Sequence, residues 1–197
     1  IGNYSNNYLV PIALYGDNTL VEENTITGST GAGLTVYSDS NTITKNTFSN
    51  NAYTGIEFFS DGFSCENNRI YLNTFTGNGV TTTTSGTTPP ATTYWVSPEA
   101  VSYTYNGNTY SGILGNYWDA DYTGTDADGN GVGDTAYTVP DSLGSDTAPL
   151  MGAWDGSGIT GPAVEAPVAA FSADPTSGTV PLTVLFTDES TNDPTSR

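Results

Sequence analysis

Glu23-Asn24-Thr25-Ile26-Thr27-Gly28, Lys45-Asn46-Thr47-Phe48-Ser49-Asn50 and Leu72-Asn73-Thr74-Phe75-Thr76-Gly77 are three copies of one pattern. Their asparagines Asn24, Asn46 and Asn73 stand 22 and 27 residues apart. A second phase keeps the spacing of 22: Ile12-Ala13-Leu14, Leu34-Thr35-Val36 and Ile56-Glu57-Phe58. A third phase sets Asn18-Thr19-Leu20 beside Asn41-Thr42-Ile43 and Asn68-Arg69-Ile70. Short alternating strands repeated at a fixed period near 22 residues predict a parallel β-helix, each repeat forming one coil of a solenoid. Alternation predicts that Leu20, Ile26, Leu34 and Val36 point inward from one coil, and Ile43, Phe48, Ile56 and Phe58 from the next. Stacked into columns, each such side chain contributes about 1.5–3 kcal/mol.

Asn24, Asn46 and Asn73 are expected to form a ladder at one corner, where stacked amides hydrogen-bond one another and satisfy bent backbone. That role is structural, not catalytic. The five extra residues between Asn46 and Asn73 fall near Ser60-Asp61-Gly62-Phe63-Ser64 and predict an outward loop. The chain begins inside a coil and without Met, which suggests a trimmed piece of a larger protein. An uncapped coil exposes strand edges that can pair with another chain.

Composition narrows the function. The chain of 197 residues carries 21 acidic and 3 basic side chains, a net charge of −18. Nucleic acid and anionic membranes repel such a surface, so neither is an expected partner. With so few Lys and Arg, the carboxylates must be solvated or neutralised by cations. His is absent, which removes Ser-His-Asp and Cys-His catalysis and every His-ligated metal. The lone Cys65 excludes a disulfide framework and reads as a small buried hydrophobe. No apolar run is long enough to span a bilayer as a helix. Thr, Ser, Asn and Gly take the place of charge, no amphipathic helix is readable, and the chain is expected to be nearly all β.

Beyond the repeats, residues 79–93 are rich in Thr and predict an exposed excursion. Asn3-Tyr4-Ser5 is an N-glycosylation sequon, making Asn3 a candidate glycosylation site. Asn106-Gly107 between Val101–Tyr105 and Asn108–Tyr110 signals a hairpin with a primed turn. Tyr94, Trp95, Tyr103, Tyr105, Tyr110, Tyr117 and Trp118 cluster around it. They suit either a sugar-stacking platform or, the favoured reading, a cover over the open end of the solenoid.

The sharpest chemical signal is Asp126-Ala127-Asp128-Gly129-Asn130-Gly131-Val132-Gly133-Asp134. Side-chain oxygens at alternate positions, with glycines for the tight turn, are how a short loop wraps a hard cation. Asp126, Asp128, Asn130 and Asp134 would supply side-chain oxygens and Val132 its carbonyl, with calcium the expected ion. Tyr137 stands where an EF-hand has Glu, and no flanking helices are predicted, so the loop is calcium-like without being an EF-hand. Asp119 or Asp121 could complete the shell.

The coil repeats resemble the NosD-like right-handed parallel β-helix families. So does the block Trp95-Val96-Ser97-Pro98, Leu114-Gly115-Asn116-Tyr117-Trp118-Asp119, the aspartate loop and Asp146-Thr147-Ala148-Pro149-Leu150-Met151, which is similar to the C-terminal end of such domains in archaeal surface proteins. Residues 155–166 read as a Gly/Pro linker. Pro167–Thr191 resembles the opening of a PKD domain, an immunoglobulin-like sandwich, with strands expected at Val168–Ala173 and Leu182–Asp188. The expected organisation is therefore coils over 1–78, the Thr-rich excursion over 79–93, a hairpin and aspartate-loop cap over 94–154, a linker over 155–166 and a partial PKD-like segment over 167–197.

These resemblances imply an extracellular, cell-surface protein. The leading expectation is a structural component of an archaeal envelope, whether surface layer, sheath or filament, whose partners are copies of itself and whose cofactor is calcium. Cell-surface glycans are candidate further partners. The alternative is a secreted carbohydrate-binding or carbohydrate-active β-helix. Against an enzyme, Lys45 and Arg69 are the only internal bases, and the carboxylates Asp39, Glu57 and Asp61 show no paired spacing. The copper role attached to NosD is disfavoured, since soft donors amount to one Met and one Cys.

Overall fold

The computed structural model describes residues 10–86, 89–161 and 168–190. Asn3 lies outside them. The chain divides into two units, Ile1–Gly161 and Pro162–Arg197.

The first unit is a parallel β-solenoid of about three turns with almost no helix. Its coils run β1 (Ile12–Leu14), β2 (Leu20–Glu22), β3 (Thr25–Thr27); then β4 (Ala32–Val36), β5 (Thr42–Thr44), β6 (Thr47–Ser49); then β7 (Thr54–Phe59), β8 (Asn68–Tyr71), β9 (Thr74–Thr76). β10 (Val80–Ser85) and β11 (Thr93–Tyr94) begin a further turn. Equivalent strands pair in register: β1-β4-β7-β10 form sheet A, β2-β5-β8-β11 sheet B, and β3-β6-β9 sheet C. The register repeats the sequence period, with Leu34 against Ile56, Ile43 against Ile70 and Phe48 against Phe75.

The interior is filled by apolar side chains. Leu34, Val36, Ile43, Phe48, Ile56, Phe58 and Ile70 are fully buried. Phe48 stacks on Phe75 at 5.2 Å and Phe75 on Trp118 at 5.0 Å, so one aromatic column runs up the core. Leu20 departs from expectation: it is 58 % exposed, and Val21 points inward in its place. The cause is register, because Val21 pairs with Ile43 and Leu20 with Thr42. Gly55 is required where coils close up. A Cβ there would lie 2.7 Å from the Thr81 carbonyl oxygen.

Three corners turn each coil, and each has its own ladder. Asn24 Nδ2 donates to Asn46 Oδ1, Asn46 to Asn73, and Asn73 to Asn116, at 3.1, 3.0 and 3.0 Å. At the second corner Asn41 Oδ1 accepts the Thr19 N–H, and Asn41 Nδ2 donates to Asn68. At the third, Asn51 Oδ1 accepts from Ser29 N–H, and Asn51 Nδ2 donates to Asn78. Through the first three coils the residue before each ladder position has positive φ: Asn18, Ser40 and Asn67; Glu23, Lys45 and Leu72; Gly28, Asn50 and Gly77. Left-handed backbone costs a non-glycine residue about 1–2 kcal/mol. The ladder hydrogen bonds, repeated at every coil, offset that cost.

The Thr-rich stretch is not wholly an excursion. Val80–Ser85 is a strand of sheet A, with Thr82 fully buried. Its Thr content is β-branched and suits a pleated surface, which outweighs its low complexity. After Tyr94 the chain leaves the solenoid as a hairpin, β12 (Val101–Tyr105) and β13 (Asn108–Gly112), through Asn106 and Gly107, both at positive φ. It returns at Asn116. Tyr117 then bridges Thr74, Leu150 bridges Tyr117 in parallel, and Val132 closes against Leu150 antiparallel. β14 (Tyr137–Thr138) and β15 (Ser145–Asp146) pair beside them.

The second unit contains an antiparallel pair, β16 (Phe171–Asp174) and β17 (Leu185–Asp188), both shorter than the sequence suggests. Phe171 and Phe186 face each other at 5.9 Å and stay largely exposed.

Candidate functional site

The aspartate loop lies at the C-terminal edge of sheet C, anchored by Gly133 N–H to the Pro149 carbonyl and Met151 N–H to that of Gly131. Its oxygens turn onto its own backbone. Asp126 accepts the N–H of Asn130 at 3.0 Å and of Gly131 at 2.8 Å. Asp128 accepts from Asn130 Nδ2, and Asn130 Oδ1 from the Val132 N–H. Asp134 turns instead to Thr125 Oγ1 and the Ala127 N–H. Among the described residues, no three Cys, Asp or Glu side chains converge as a metal-ligand group. Asp121 accepts from the Thr81 hydroxyl, and Tyr137 packs on Trp118 at 4.5 Å.

Asp146 is a buried carboxylate that spacing did not single out. It accepts the indole N–H of Trp118 at 2.8 Å, the backbone N–H of Asn116 at 2.7 Å and that of Ala148 at 3.0 Å. Burial lifts its pKa to about 6 against those donors. Trp95, Trp118, Tyr103 and Tyr105 are buried, and Trp95 donates its indole N–H to the Leu143 carbonyl. These rings are therefore core and no exposed platform. Tyr94 is exposed, with the Arg69 guanidinium 4.6 Å over its ring.

Exposed chemistry collects in two other places. On sheet A, Tyr15 stacks on Tyr37 at 4.4 Å, and the loop of five extra residues folds back so that Phe63 meets Tyr37 edge-on at 5.1 Å. Glu57 lies on the same sheet, accepting from Thr35 Oγ1 and the Ser85 hydroxyl. At the corner between sheets B and C, Lys45 pairs with Glu22 at 2.7 Å and reaches Glu23 at 3.8 Å beside Trp154. Two of the three candidate carboxylates are engaged structurally: Asp39 accepts the Glu66 N–H, and Glu57 is held as above, while Asp61 is exposed on its loop. Cys65 is buried, its thiol donating to the carbonyls of Val36 and Phe59, and burial pushes its pKa up to about 11.

Residues 3–124 match the family described as periplasmic copper-binding protein (NosD). The chain belongs to the NosD family. No curated protein and no solved structure matches it. The NosD match takes in the described coils, the three ladders through Asn116 and the hairpin, and stops before Asp126. The aspartate loop and Asp146 therefore lie beyond the NosD-matched span, although the Asp146 carboxylate completes a ladder that lies within it.

Proposed function

We propose that this chain is a structural component of an archaeal cell envelope, in a surface layer, sheath or extracellular filament, that associates with copies of itself through β-edges. The observation that carries this reading is the polarity of the solenoid. At one end the aspartate loop and Leu150 close sheet C, and Asp146 ends a ladder. At the other, β1, β2 and β3 are edge strands, with no partner on their N-terminal side among the described residues. A strand edge presents backbone N–H and C=O groups to which another β-surface, of this protein or of a copy, can add. The periplasmic description of the NosD family supports a location outside the cytoplasm.

Copper does not fit this chain. His is absent, and its single Cys is held as a buried thiol, the protonated form that binds metal poorly. Calcium suits the hard oxygens of Asp126, Asp128, Asn130 and Asp134 and the Val132 carbonyl. Bound there, it would exchange the loop's N–H bonds for metal coordination and brace the closed end against a charge of −18. We assign no catalytic role. Sedimentation velocity of the purified chain in millimolar calcium, against the same sample in chelator, tests both halves. Assembly with calcium supports them. A monomer in both overturns the assembly reading, and assembly indifferent to calcium overturns the cation.

A further inference from the structure

A cleft of about 360 Å³ opens on the outer face of sheet C, walled by the Trp154–Gly156 turn and floored by Asn24, Thr25 and Thr47, with Glu23 and Lys45 at its side. Its construction follows from the coil register. Thr25, Thr47 and Thr74 form one outward column over three coils. Trp154 donates its backbone N–H to Thr74 Oγ1 at 3.3 Å, so the tryptophan is seated on the third coil. Thr25 and Thr47 then remain as the floor beneath it.

The wall is fixed in advance. Trp154 pairs antiparallel with Ile159 and packs against the cluster of Leu72, Tyr103 and Leu114. Asp155 Oδ1 holds the turn, accepting the N–H of Ser157 at 2.9 Å and of Gly158 at 2.8 Å. Those bonds, that to Ser157 first, keep its carboxyl below the usual range, so it is ionised at neutral pH. A preorganised site loses little affinity to ordering its own groups.

The chemistry of the lining selects the ligand. One aromatic wall suits an apolar C–H face. Two hydroxyls, an amide, two carboxylates and an ammonium suit a ring of hydroxyls. The ammonium of Lys45 is already paired with Glu22, so a polyanion finds no unmatched cation there, and the net charge of −18 repels it. We propose that this cleft binds a neutral pyranose unit of a glycan, with Trp154 stacked on the sugar face and Thr25, Thr47, Asn24 and Asp155 bonding its hydroxyls. The cleft shares Thr25 with β3, but it uses outward side chains whereas self-association uses that strand's backbone edge, so each reading can fail alone.

The test is native affinity electrophoresis of the full chain through gels holding mannan, β-glucan or galactan, with polygalacturonate as the anionic comparison. At least one neutral polysaccharide should retard the protein. The double variant Thr25→Val/Thr47→Val, which keeps β-branched side chains in the column, should weaken that retardation at least tenfold while its melting temperature stays unchanged. Trp154→Phe, which keeps a ring in the wall, should weaken it less than the double variant. Retardation by no neutral polysaccharide, by polygalacturonate alone, or equally for wild type and the double variant would overturn the proposal.

Discussion

The carboxylate of Asp146 completes the ladder that ends in Asn116, accepting its backbone N–H at 2.7 Å. Each ladder amide donates its Nδ2–H to the Oδ1 of the next coil. A carboxylate oxygen accepts as an amide Oδ1 does, but an ionised carboxylate has no N–H to hand on. Among the described residues Asp146 is thus the last rung of this ladder, an Asp in place of the repeated Asn.

Asp146 should make stability depend on pH. Its folded pKa, about 6, lies above that of an unfolded aspartate. The folded state binds this proton more tightly, so the contribution is full below about pH 4 and is lost as pH rises through about 6. A shift of ~2 units corresponds to on the order of 3 kcal/mol. Asp146→Asn cannot ionise, and calorimetry across this range should show the wild-type advantage over it shrinking as pH rises. A difference that stays constant between about pH 4 and pH 7 would contradict the assignment.

The ladder should weigh most where it is buried. Asn73 is fully buried, donates to Asn116 and to the Ile43 carbonyl, and accepts from Asn46. Asn73→Ala leaves several of these groups unpaired and should cost about 2–4 kcal/mol by urea unfolding. Asn24, exposed on the first coil, should cost under ~1 kcal/mol on the same change.

Adjacent residues of β2 should respond oppositely. Val21→Thr places a hydroxyl in the apolar interior and should destabilise by about 1–3 kcal/mol. Leu20→Thr, on the outer face, should stay within about 0.5 kcal/mol. Paired melts of the two variants check which face is which.

Cys65 should be inert in the folded chain. Its thiol is buried and its pKa is pushed up to about 11. A thiol-reactive reporter at neutral pH should label it only after denaturant is added, and rapid labelling of the native protein would show the coil at Val36 and Phe59 to be open.

The architecture was legible because a coil is a repeat. Spacing alone located Asn24, Asn46 and Asn73 and most inward residues. The other two ladders carry the same signal, since Asn41, Asn46 and Asn51 are followed at a spacing of 27 by Asn68, Asn73 and Asn78. The near match of Asn18 to Asn41, 23 residues apart, masks it. Thr19 occupies the ladder position in the first coil, using only its backbone N–H, and the slip of one residue put Leu20 on the wrong face. Asp146 was not legible at all. It meets Asn116 across 30 residues of irregular chain, where no period operates. The Trp154 cleft was hidden for the same reason: its floor is periodic, and its wall arrives from a turn outside the repeat.

Electron microscopy of the purified chain at neutral pH in millimolar calcium addresses the envelope proposal directly. Ordered filaments, tubes or sheets with subunits joined at the β1–β3 edges are the predicted result. A dispersed monomer, or contacts that leave those edges bare, would contradict it.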